Sequence, residues 1–63
     1  MKKKSPKLPS DLILDIKNRL KTLSGQIDGI VKMLDEGKDP EQINIQFKSI
    51  DKGIQKAHYI LLD

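Results

Sequence analysis

The segment EGKDPEQ, residues 36–42, separates two long stretches of helical periodicity and decides how the chain folds. Gly37 suits the left-handed residue that commonly follows the end of a helix. Asp39 can cap a second helix, and Pro40 suits its first position because the missing N–H needs no helical partner there. Gln42 completes the pattern of a capping box. The segment therefore predicts a short connection between two antiparallel helices.

The flanking helices are expected at about residues 11–36 and 40–63, with Ser10 as the N-cap of the first and Asp11 in its first turn. Their apolar residues recur at alternating intervals of three and four, which is the a/d pattern of a packed helix. We call these positions the a/d seam: Ile13, Ile16, Leu20, Leu23, Ile27, Ile30 and Leu34, then Ile43, Phe47, Ile50, Ile54, Ala57 and Leu61. The predicted protomer is an all-α hairpin.

Other apolar residues lie off this seam or beside it: Leu12, Leu14, Val31 and Met33, then Ile45, Tyr59, Ile60 and Leu62. A two-helix hairpin cannot enclose a core, and a second apolar face predicts association into at least a dimeric four-helix bundle. Periodicity alone does not separate a homodimer from a homotetramer. Gly25 and Gly29 share one helical face and each costs about 1 kcal/mol relative to Ala, which favours close approach by another helix or chain.

Length and composition narrow the class of protein. Sixty-three residues make one small domain at most. The chain has no cysteine, and its one histidine cannot build a tetrahedral zinc site from a single copy. No apolar run approaches the ~18 residues that span a bilayer, and the basic start lacks the apolar part of a signal peptide. We expect a soluble cytoplasmic protein without a cofactor, in which residues 1–9 are a flexible basic arm and residues 10–63 a helical domain that oligomerises and carries the function.

Basic side chains form the clearest functional pattern. They recur every four residues along the second helix and along the start of the first, so that each helix carries a basic stripe. The candidate DNA-binding residues are Lys17, Arg19 and Lys21, then Lys48, Lys52 and Lys56. Two such stripes could follow the phosphate backbone of double-stranded DNA. The alternative is a solvated face, since aspartates are interleaved with these lysines.

No pattern of catalytic residues is present, and an enzyme is not expected. The sequence has no nucleophile–base pair, phosphate-binding loop or paired carboxylates in a pocket. His58 lies beside the a/d seam, where a partly buried, hydrogen-bonded histidine is as consistent with the pattern as a ligand. Both helices are too long for a helix-turn-helix motif.

The run NRLKTLSGQIDGIVKMLDEGKD, residues 18–39, resembles the copper-sensitive operon repressors, the CsoR/RcnR/FrmR family of metal- or formaldehyde-sensing repressors. Their signature is close to R-L-[RK]-R-[IV]-E-G-Q-[VI]-R-G-I-x-[RK]-M-[IV]-E-[ED]. The matching positions are Arg19, Leu20, Lys21, Gly25, Gln26, Ile27, Gly29, Ile30, Lys32, Met33 and Glu36. The resemblance covers about residues 19–63, with weaker support from residues 11–18.

This resemblance implies a four-helix dimer, a disc-shaped tetramer and a transcriptional repressor that binds operator DNA without a conventional recognition helix. The arginine of the R-L-[RK] motif falls on Arg19, and a second basic position falls on Lys56, with Lys21 in support. Members of the family release DNA when a metal ion or an electrophile reacts at cysteine and histidine positions between subunits.

The departures from the family pattern bear on this sensing. The family cysteine at the start of the second helix falls on Pro40, which offers no ligand atom, so metal binding by the usual route is not expected. Ser24 and Asp28 replace a Glu and an Arg, and Thr22 replaces a frequent Arg. Two alternatives stay open. One is an interaction or oligomerisation module that does not bind DNA, and the other is a repressor whose sensing groups lie beyond Asp63.

Overall fold

The computed structural model describes residues 8–62, which form two α-helices joined by a short turn. Helix α1 spans Ser10–Asp35 and helix α2 spans Pro40–Leu62. The start of α1 lies beside the end of α2, so the helices run antiparallel along their length. The predicted all-α hairpin is confirmed. Residues 1–7, which include most of the basic arm, and Asp63, the expected last residue of the second helix, lie outside the described residues.

The first helix begins one residue earlier than expected, and Ser10 does not cap it. Pro9 is the N-cap, with φ −58° and ψ 146°, and no side chain caps this end. The Pro9 carbonyl accepts hydrogen bonds from the N–H groups of Leu12 and Ile13, both at 3.0 Å. Proline favours this extended geometry, so the helix starts directly after it and Ser10 becomes the first helical residue. Asp11 lies in the first turn, as expected.

The turn follows the expected chemistry closely. Gly37 has φ +68°, the left-handed conformation that costs a residue with a Cβ about 1–2 kcal/mol. Its N–H donates to the Leu34 carbonyl at 3.2 Å, and the Lys38 N–H donates to the Met33 carbonyl at 2.9 Å. This pair of hydrogen bonds is a Schellman motif, and it ends α1 at Asp35.

Asp39 then opens the second helix. Its backbone carbonyl accepts from the N–H groups of Gln42 and Ile43, and its side-chain Oδ1 accepts from the Glu41 N–H at 3.4 Å. Pro40 occupies the first helical position, as predicted. The predicted capping box is not formed: Asp39 Oδ1 accepts from the second helical residue and not from the third, and within residues 8–62 no hydrogen bond joins the Gln42 side chain to the Asp39 backbone. The predicted connection is otherwise confirmed.

The buried core of the hairpin is small. Leu23, Ile30 and Ile50 pack together at 5–6% exposure, with the partly buried Ile43 against them and Ala57 buried nearer the open end. All five belong to the a/d seam, but much of that seam stays exposed. Two helices share only one line of contact, so a single hairpin buries about one side of each seam and leaves the other side to solvent.

Gly53 sets how closely the two helices approach. A Cβ built on Gly53 would stand 2.5 Å from Cδ2 of Leu23, a distance that real Cβ contacts essentially never show. The bare backbone of α2 at Gly53 therefore leaves room for the Leu23 side chain of α1. The sequence pattern did not single out this glycine.

Candidate nucleic-acid interface

The helix pair has two sides with opposite chemistry. On one side an open groove of about 410 Å³ runs between α1 and α2, and we call it the basic groove. Its floor is made by Leu23 and Gly53, where the Leu23 side chain packs on the bare backbone of α2. The remaining lining is polar or cationic: Arg19, Thr22 and Gln26 from α1, and Ser49, Lys52 and Lys56 from α2.

Helical spacing explains why these side chains meet. Arg19, Thr22 and Gln26 are three and four residues apart, so they lie on one stripe of α1 next to the buried Leu23. Ser49, Lys52 and Lys56 repeat the same spacing on α2. Because the helices run antiparallel, Arg19 and Lys56 come to one end of the groove, and Gln26 and Ser49 to the other.

The groove has a strong positive bias. Three of its lining side chains are cationic and none is a carboxylate. The one ion pair within residues 8–62 joins Arg19 Nε to Asp15 Oδ1 at 3.1 Å, one helical turn apart. Both side chains are nearly half exposed, so this pair is a weak surface contact that orients the guanidinium more than it neutralises the groove. The arrangement can hold a phosphate-bearing partner.

The structure brings together three of the six predicted DNA-binding residues, namely Arg19, Lys52 and Lys56. Lys17 lies on the opposite side, where it borders an apolar cavity. Lys21 and Lys48 are exposed and line neither of these spaces. The basic stripe predicted for one helix therefore includes residues that lie on different sides of the hairpin.

Sequence reasoning missed three polar residues of the groove. Gln26 and Ser49 line its other end, and Thr22 lines it beside Arg19, with its hydroxyl donating to the Asn18 carbonyl at 3.1 Å. Their signal was present in the spacing, since each lies three or seven residues from a groove cation on the same helix. They are uncharged, so the pattern of basic residues does not include them.

The opposite side of the hairpin is apolar. Seven residues at heptad spacing are 42–59% exposed, and we call them the apolar face: Ile13, Leu20, Ile27 and Leu34 from α1, and Phe47, Ile54 and Leu61 from α2. A cavity of about 320 Å³ opens on this side near the open end of the hairpin, and another of about 390 Å³ lies near the turn. So broad an exposed apolar surface is typical of an interface.

His58 and Pro40 both border cavities on this apolar side. His58 is exposed and lines the cavity at the open end, together with Lys17. Pro40 lines the cavity near the turn, beside Leu34 and Phe47. Within residues 8–62, no three His, Asp or Glu side chains are placed to hold a metal ion.

The fold and the groove define a class: a small helical-hairpin protein with a cationic surface for an anionic partner. The family model described as metal-sensitive transcriptional repressor matches residues 14–63. The chain belongs to this family, the CsoR/RcnR family, whose members are transcriptional repressors and not enzymes. Comparison with curated proteins and with solved structures gave no match.

The family match begins at residue 14 and runs to the last residue, so it spans both helices and the turn between them. It agrees with the resemblance found in the sequence and confirms that identification. Neither helix within residues 8–62 has the length and hydropathy needed to cross a membrane. The cytoplasmic location expected from the sequence stays a prediction.

Proposed function

We propose that this protein is a DNA-binding transcriptional repressor that contacts duplex DNA through the basic groove. The observation that carries the proposal is the meeting of Arg19, Lys52 and Lys56 in one groove whose lining has no carboxylate. Contacts of lysine and arginine with phosphates supply most of the sequence-independent affinity for DNA. Family membership supports the same partner.

Lys21 and Lys48 have a secondary place in this proposal. Both are exposed outside the groove, so they can add long-range attraction to DNA without a defined contact. Lys17 borders the apolar side, and its substitution is expected to affect association more than DNA binding. The DNA contact is therefore assigned to Arg19, Lys52 and Lys56 first.

We also propose that two copies pair through the apolar face to form a four-helix bundle, and that two such dimers form the tetramer implied by the family resemblance. Exposure of seven large apolar side chains on one side supports pairing, because each would lose its contact with water in a bundle. The buried core of one hairpin is small for an independent fold.

The sensing mechanism of the family is proposed to be lost or replaced here. The chain has no cysteine, and by the resemblance in the sequence the family cysteine falls on Pro40. Pro40 serves the start of α2 and has no side-chain donor atom. Cysteine or histidine residues encoded beyond Asp63 would restore a sensing role, and reading the gene past this codon tests the point directly.

Binding of a fluorescent duplex from the region upstream of its own gene tests the DNA proposal. Affinity should fall by about 0.9 log units per log unit of salt for each phosphate contacted. Arg19→Ala and Lys56→Ala should each weaken binding and reduce that slope by about one contact. Lys32→Ala, which removes an exposed charge outside the groove, is the matched control.

The exposed apolar face also favours a second candidate function, an interaction module without DNA binding. That function predicts a flat salt response and unchanged behaviour of Arg19→Ala and Lys56→Ala. Either result would rule out the DNA-binding repressor and support the interaction module.

A further inference from the structure

We propose that the basic groove is also a binding site for a small phosphorylated aliphatic molecule, which competes with DNA for the same cations. The inference rests on the proposed function, since it adds a regulator to the DNA-binding site. In this proposal the ligand regulates the repressor because it displaces DNA directly from the basic groove.

The shape of the groove is the first argument. A row of cations on a convex surface is sufficient to follow a DNA backbone. Here the cations come from two helices and line one open groove of about 410 Å³. The groove is open to solvent, so it suits a small anion that is held by charge rather than by enclosure. The close helix approach at Gly53 gives the groove a floor, so a compact anion can be contacted from both walls and from below.

The donors available in the groove are the second argument. Asp15 engages only Nε of Arg19, and within residues 8–62 the two terminal guanidinium nitrogens have no hydrogen-bond partner. A guanidinium held in this way presents a planar pair of donors that matches two phosphate oxygens. Among the described residues, Lys52 and Lys56 have no carboxylate partner either. Gln26 and Ser49 add neutral donors at the other end of the groove.

Charge and lining together indicate the class of ligand. A phosphate monoester carries about −1.5 to −2 charges at neutral pH, and three cations suit it better than a singly charged carboxylate. Neither of the two aromatic residues, Phe47 and Tyr59, lines the groove. A nucleobase therefore has no ring to stack on, whereas a phosphorylated aliphatic compound needs none.

Competition with DNA follows from the shared residues. Arg19, Lys52 and Lys56 cannot hold a free phosphate compound and a backbone phosphate at the same time. The ligand therefore lowers the affinity for DNA without a change of conformation. Its effect on transcription is induction, and it requires neither a thiol nor a metal.

The first experiment measures direct binding, with inorganic pyrophosphate as the probe. The full chain without DNA is titrated at constant ionic strength, and backbone amide shifts are followed by NMR. We expect saturable shifts at Ser49, Lys52 and Gly53. Lys56→Gln should weaken binding about tenfold or more, because a charged hydrogen-bond partner is lost. Lys32→Gln should leave it unchanged, and circular dichroism checks that both variants fold equally.

The second experiment measures displacement of a labelled duplex. Pyrophosphate should release DNA at a concentration set by its own binding curve, whereas sodium chloride of equal ionic strength should release much less. The inference would be overturned if DNA release followed ionic strength alone. It would also be overturned if Lys56→Gln bound pyrophosphate as tightly as the unsubstituted chain. If Lys56→Gln weakens DNA binding but pyrophosphate does not bind, the repressor proposal stands and only the small-molecule site fails. If Lys56→Gln affects neither ligand, both proposals fail.

Discussion

Gly53 lies directly against Leu23, and a Cβ on this glycine would stand 2.5 Å from Leu23 Cδ2. This contact joins the two functional properties of the hairpin. It lets α1 and α2 come close enough for Leu23 to be buried, and it forms the floor of the basic groove. One residue without a side chain thus serves both the core and the site.

Gly53→Ala should therefore lower the stability of the hairpin. Overpacking a core costs about 1–3 kcal/mol, and alanine recovers about 1 kcal/mol of helix propensity. The close atom is a terminal methyl of Leu23, which can shift, so the free energy of unfolding should fall by no more than about 1 kcal/mol, measured by urea denaturation. In a Leu23→Ala background the same change should become neutral or stabilising, because the colliding atoms are gone. Equal effects in both backgrounds would show that Leu23 is not the cause.

Gly25 and Gly29 provide the opposite case within α1. A Cβ at either position meets nothing within 4 Å in the hairpin. Gly25→Ala should raise the free energy of unfolding by about 1 kcal/mol, since alanine is the better helix former. Urea denaturation at two protein concentrations provides the measurement. A loss of stability, or a shift to smaller oligomers, would instead reveal a second chain packed on this side of α1.

Ile27→Glu tests the apolar face. Ile27 lies in the middle of that face and is 48% exposed in the hairpin. In a paired bundle the substitution removes apolar burial from both copies and places a charge in the interface. The dissociation constant of the dimer should rise on the order of a hundredfold or more, as measured by sedimentation. Gln55→Glu adds the same charge at an exposed α2 position off the apolar face and should not change the assembly.

Asp15→Asn tests how the ion pair between Asp15 and Arg19 affects the groove. Asparagine keeps an oxygen that can accept from Arg19 Nε but removes the negative charge beside the groove. We expect DNA to bind about twofold tighter, the size typical of an exposed charge pair. Fluorescence anisotropy at fixed salt measures the change, and Asp51→Asn, outside the groove, is the matched control. Weaker binding would mean that the Asp15 carboxylate is needed to hold the guanidinium.

The turn and both helices could be predicted from sequence because their causes are local. Gly37 and Asp39 act on backbone groups a few residues away, and the structure uses both as expected. Ser10 failed as a cap for an equally local reason, because the preceding proline already supplied the extended geometry. Interactions between neighbouring residues therefore explain both the confirmed predictions at the turn and the wrong prediction for Ser10.

The division of the a/d seam could not be predicted in the same way. Periodicity marks Leu20 and Leu23 alike as apolar, yet Leu23 is buried and Leu20 is half exposed. The difference depends on the rotation of each helix about its axis, which the partner helix fixes. For the same reason, the sequence could not place Lys17 and Lys56 on opposite sides of the pair.

The basic groove and the apolar face lie on opposite sides of the hairpin, and this determines how many DNA-binding surfaces a dimer presents. If two hairpins join through their apolar faces as proposed, each basic groove lies on the side of its hairpin away from the interface, and the two grooves face away from each other. A straight duplex can then lie against one groove only. The second groove is left to take up another segment of DNA or the same duplex after it has bent around the bundle. The proposed dimer would thus be bivalent, and its affinity for DNA would depend on the path of the double helix as well as on the contacts at each groove.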